Sequence, residues 1–66
     1  MTNKLKIERA IANLTQADLA EKIAVSRQTI NAIESGKYVP STVLALKLSK
    51  LFNKPVNEIF ELEETD

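Results

Sequence analysis

Apolar residues recur along this chain at spacings of three and four, the period of amphipathic helices, and no run alternates cleanly enough to read as a strand. The pattern predicts a first helix over about 4–12, with Asn13 as its left-handed terminus. Thr15 is placed to cap the next helix, and Asp18 sits three residues on in capping-box register. Leu14 can staple against Leu19, and Ala17, Leu19, Ala20 and Ile23 form the apolar side of this second helix. The pattern breaks at Ala24-Val25 and Ser26 caps a third helix ending near Glu34. Val25, Ile30 and Ile33 are its inward residues; Arg27, Gln28 and Asn31 point elsewhere. Gly36 suits the left-handed position that closes this helix. A loop over 37–40 leads to a fourth helix, 42–52, with Leu44, Leu48, Leu51 and Phe52 on one stripe and Val43 and Leu46 off it. Pro55 opens a short fifth helix through about Phe60, and residues 61–66 read as a short strand, a fray or a disordered end.

The expected architecture is therefore all-α: one five-helix domain with a core over about 4–60 and an acidic tail over 61–66. With 66 residues and no cysteine or histidine, disulfides and the common zinc or iron–sulfur sites are excluded. Stability then rests on helix packing, a partner subunit, or both. The same composition argues against an enzyme, since the usual base and nucleophile types are missing and the single glycine cannot build a phosphate-cradling loop. No cofactor is expected. No apolar run approaches membrane-spanning length, and nothing at the start resembles a signal peptide, so the expected location is cytoplasmic.

The formal net charge is zero, but it is unevenly spread. Residues 1–57 hold nine basic against four acidic groups, a net of +5; residues 58–66 hold five acids and no base, a net of −5. A basic body with an acidic end fits one face turned to phosphate, and it equally fits a solvated tail that maintains solubility.

Two short capped helices across a tight turn, the small Ala20 near their junction, suggest a helix-turn-helix. Arg27, Gln28 and Asn31 form one exposed patch on the first two turns of the second of them, and their types suit major-groove edges: arginine for guanine, the amides for adenine. An ordinary polar helix face explains three such residues as well, but no acid lies between Glu21 and Glu34, as a phosphate-facing helix requires. Ser26, Thr29, Gln16 and Lys37 are candidate phosphate anchors. Lys47, Lys50 and Lys54 read as a solvated face.

The segments TQADLAEKI (15–23), VSRQTINAIESGKYVPS (25–41) and KPVNEIF (54–60) together resemble the Cro/C1-type (XRE) helix-turn-helix family over nearly the whole chain. The resemblance implies a five-helix lambda-repressor-like DNA-binding domain. It implies sequence-specific double-stranded DNA binding by a transcriptional regulator, a repressor by preference, with helix 26–34 in the major groove. It implies base or groove contacts from Arg27, Gln28, Asn31, Thr29 and Ala32, phosphate contacts from Gln16 and Lys37, and a structural ion pair between Arg9 and Glu34. It further implies a homodimer on a near-palindromic operator. Val56, Ile59, Phe60 and Leu62, with Val43, are the expected dimer surface, although Phe60 and Leu62 can instead cover the monomer core. The alternative class is a protein-interaction module gripping a regulatory protein through the same end segment. Two departures stand out: Glu8 occupies a usually apolar position, so helix one is expected to pack differently, and Ala24 replaces a common turn glycine.

Overall fold

The computed structural model describes residues 1–66 as β1 (Thr2–Asn3), α1 (Leu5–Ile11), α2 (Gln16–Lys22), α3 (Arg27–Glu34), α4 (Thr42–Phe52), α5 (Val56–Ile59) and β2 (Phe60–Glu61). The five expected helices are present; α4 spans the expected 42–52, and the other four are each slightly shorter than the sequence pattern suggested.

The helix starts follow from side-chain hydroxyls. The Thr15 hydroxyl accepts from the Asp18 amide at 3.0 Å and the Asp18 carboxylate accepts from the Thr15 amide at 3.0 Å, a complete capping box. The backbone and side-chain bonds from Thr15 hold the Asp18 carboxyl below the usual aspartate range. Ser26 and Ser41 accept from Thr29 and Leu44 amides in the same way.

The helix ends share one device. Asn13, Ala24, Gly36 and Asn53 lie at positive φ, and the amide after each bonds back five residues: Leu14 to the Arg9 carbonyl, Val25 to Ala20, Lys37 to Ala32 and Lys54 to Ser49. These are Schellman closures, which need a left-handed residue. Glycine and asparagine tolerate that conformation; alanine does so at a cost. Ala24, at φ 59°, is thus a strained link between α2 and α3. Ala24→Gly is expected to raise stability by up to ~1 kcal/mol, the relieved strain exceeding the added chain entropy. Urea denaturation checks this, and a destabilised glycine variant would show that the turn carries no strain.

Leu5, Leu19, Ala20, Ile23, Ile30, Ile33, Leu48, Ile59 and Phe60 form the core, drawn from every helix and from β2. On α4 only Leu48 is fully enclosed, while Leu51 is partly open and Val43 and Leu46 face solvent.

Three findings depart from the expected picture. First, a two-stranded antiparallel sheet pairs Thr2 with Glu61 and Asn3 with Phe60, so 60–61 is strand and the fifth helix ends at Ile59. The Lys4 amide extends this junction to the Ile59 carbonyl at 2.8 Å. Second, Ile59 and Phe60 are buried in the monomer, 1% and 5% exposed, so they are removed from the expected dimer surface. The β1–β2 pairing turns them over the core beside Leu5, leaving half-buried Val56 and the open Leu62. Third, Glu8 does point inward, and Lys54 meets its carboxylate at 2.8 Å. Burying a carboxylate requires such a partner, so Lys54, though its side chain is partly open to water, is also a structural cation.

Candidate nucleic-acid interface

The α2–α3 pair is the most extensively packed helix contact in the molecule. Leu19 and Ala20 of α2, with Ile23 just beyond its end, meet Ile30 and Ile33 of α3 in the core. With Ile30 and Ile33 turned inward, the helical period sends Arg27, Gln28 and Asn31 outward, and all three are exposed. Together with half-buried Gln16 from the start of α2, they line one shallow polar depression. Thr29 and Ala32, on the same helix, are half-buried and do not line it. Ser26 lies before the first turn, its hydroxyl 2.9 Å from that of Thr29. Lys37 extends from the exposed loop after α3.

The charge pattern of this face is simple. The first turn of α3 carries no acid, and Arg27 and Lys37 make no ion pair. Glu34, at the far end of α3, is held by three donors: Arg9 Nε at 2.7 Å, Arg9 Nη2 at 3.3 Å and Gln16 Nε2 at 3.1 Å. The hydrogen bond to Glu34 raises the already high Arg9 pKa, and Arg9 Nη1 donates to the Leu14 carbonyl at 2.9 Å. The pair therefore ties α1 and the α1–α2 turn to the end of α3.

The acidic tail lies elsewhere. Glu63 and Asp66 each contact the Met1 ammonium at 2.9 Å, and the hydrogen bond from the Glu63 backbone amide, with that ammonium second, draws the Asp66 carboxyl below its ordinary range. Glu63 shares a depression with Ser35 and Gly36 at the C-terminal end of α3, whereas Arg27 begins that helix, roughly 12 Å away along its axis.

Contacts between side chains remote in sequence are not legible in the chain alone. The Glu8–Lys54 pair joins positions 46 apart, which no local period reveals; an acid at an inward position was the available signal. The Gln16–Asn31 bond, at 3.4 Å, depends on how closely α2 crosses α3. Nor do the titratable side chains gather into a metal site, as no cluster of three potential ligands exists.

Two capped helices crossing over a strained turn, the second presenting a polar, acid-free face, define a helix-turn-helix domain. A family profile described as helix-turn-helix matches residues 5–59. An uncharacterized HTH-type transcriptional regulator of Methanocaldococcus jannaschii is 56% identical over 66 residues, covering 100% of both chains. A second such regulator, from Bacillus subtilis, is 48% identical over 64 residues, covering 97% of each. The HTH-type transcriptional activator BcrR of Enterococcus faecalis is 41% identical over 61 residues, which span 92% of this chain and 30% of that protein. The chain belongs to the XRE-type helix-turn-helix family of transcriptional regulators. Membership supports DNA binding in transcription regulation. No helix is long and apolar enough to cross a membrane.

Proposed function

We propose that this protein reads a specific double-stranded DNA operator by laying α3 in the major groove, and that it acts as a repressor. The observation that carries this reading is the joint exposure of Arg27, Gln28 and Asn31 on the face of α3 opposite Ile30 and Ile33. Arg27 suits guanine, Gln28 and Asn31 suit adenine, and the half-buried Thr29 and Ala32 suit a thymine methyl. Gln16, Ser26 and Lys37 flank the patch and anchor phosphates, fixing the register. Repression needs nothing beyond occupancy of the operator, which this unit supplies. Its place of action is the cytoplasm, with the DNA.

The operator is palindromic and the protein binds it as a homodimer. Support comes from an apolar groove lined by Val39, Pro40, Ala45, Leu46 and Val56, and from the exposed apolar side chains Val43 and Leu62. Half-sites then recur at about one DNA turn, ~34 Å. The same patch favours a second reading, a module that grips a regulatory protein. Salt separates the two: DNA affinity falls steeply with log salt when several phosphates are neutralised, and a flat response favours the protein partner.

Selection of bound sequences from random duplex DNA is the direct test, and an enriched two-fold site is expected. On that site, Gln28→Ala should cost about 1–3 kcal/mol while nonspecific binding stays nearly unchanged. Equal loss on all sequences would remove Gln28 from base readout.

A further inference from the structure

The side chains of Arg9, Glu34, Gln16 and Asn31 form one hydrogen-bonded chain running from the back of the domain to its exposed face. Its links are 2.7 Å from Arg9 to Glu34, 3.1 Å from Gln16 to Glu34 and 3.4 Å from Gln16 to Asn31. The chemistry of the groups gives this chain a direction. A carboxylate only accepts, so Glu34 must face the NH2 side of the Gln16 amide, never its oxygen. That NH2 has two hydrogens. With one committed to Glu34, the other is directed at Asn31, which must then turn its own oxygen inward. The ion pair thereby sets the orientation of two successive amides.

We propose that Gln16 is a positioning residue for base readout: it locks the Asn31 amide with Oδ1 toward α2 and the Nδ2 hydrogens toward the duplex. The proposal deepens the DNA-reading assignment and rests on it. Asn31 so oriented offers its NH2 to an acceptor such as purine N7, and the second lone pair of Oδ1 remains free to accept from the adenine N6 amino group. Asn31 is therefore assigned to an adenine. A freely rotating amide would offer either edge and discriminate less.

The expected phosphate contact of Gln16 draws on the same two hydrogens, so the two roles predict different losses. A residue that only holds phosphate weakens binding uniformly across sequences. A residue that orients Asn31 alters preference at one base pair.

The test compares bound-sequence selections for the unmodified protein, Asn31→Ala, Gln16→Ala and the double variant. Asn31→Ala identifies the base pair it reads by abolishing preference there. Gln16→Ala is expected to lower discrimination at that same base pair by about fivefold or more, with preference at the Arg27 and Gln28 positions retained. The double variant should lose no more there than Asn31→Ala alone. Gln16→Met, similar in length but without polar atoms, repeats the measurement, and circular dichroism shows which variants are folded. A uniform drop in affinity with the Asn31 preference intact to within ~twofold would overturn the proposal. Failure of the unmodified protein to enrich any duplex sequence would overturn both it and the DNA-reading assignment, and this outcome appears before any substitution is made.

Discussion

Arg9→Ala is expected to destabilise the domain by about 3 kcal/mol, enough to leave a protein of this size marginally folded. The reasoning starts from what the substitution leaves behind. The Glu34 side chain is 6% exposed and its carboxylate faces the Arg9 guanidinium at 2.7 Å. Without Arg9 the charge is still shielded from water and keeps only Gln16 as a donor. Removing one member of a buried pair costs about 3–5 kcal/mol, because the remaining charge has lost its partner; the 17% exposure of Arg9 argues for the lower part of that range. The Leu14 carbonyl loses a donor as well. Glu34→Ala is expected to cost less, since the guanidinium left behind still bonds Leu14 and reaches water. The double variant should be more stable than the two separate losses predict, since each single change removes the same interaction. Urea denaturation of the three variants gives this cycle, and an Arg9→Ala loss below about 1 kcal/mol would mean that Glu34 rehydrates freely.

What the chain disclosed about itself follows the range of the forces involved. Helix starts were legible because a cap is a local event: Thr15 with Asp18, and Ser26 before an apolar-periodic run, carry their own hydrogen bonds. The exposure of Arg27, Gln28 and Asn31 followed from the inward pull of Ile30 and Ile33, one helical period away. The β1–β2 pair was not legible, since two-residue strands are too short to show alternation. That pairing in turn decides where Ile59 and Phe60 go, and so the expected dimer surface was drawn too far into the core. Glu8 is an anomaly in the sequence itself, but its partner Lys54 is remote in the chain, and only the fold brings them to 2.8 Å. Family resemblance implies the Arg9–Glu34 pairing; its extension through Gln16 to Asn31 depends on how the folded α2 and α3 cross.

Ile30→Ala separates scaffold from reading surface. Ile30 is fully buried on α3, next in sequence to Asn31, and belongs to the core with Leu19 and Ala20 of α2 and Ile23 just after it. Truncation to alanine removes three carbons from beneath the recognition helix, and such changes cost about 2–5 kcal/mol, more where the surroundings cannot collapse. Ala20 already allows α2 and α3 to approach closely, so little further collapse is available and the upper half of the range is expected. Ile30→Val should cost only about 0.5–1.5 kcal/mol. Gln28→Ala, on the same helix but exposed, should leave stability within about 0.5 kcal/mol while weakening operator binding. The two residues thus fail in opposite ways: one loses the fold and binding together, the other loses binding with the fold intact. Urea denaturation beside operator titration at low temperature reads both quantities. An Ile30→Ala protein with an unchanged unfolding midpoint would mean that α3 does not depend on this contact for its position, and the rigid presentation of Arg27, Gln28 and Asn31 would then need another source.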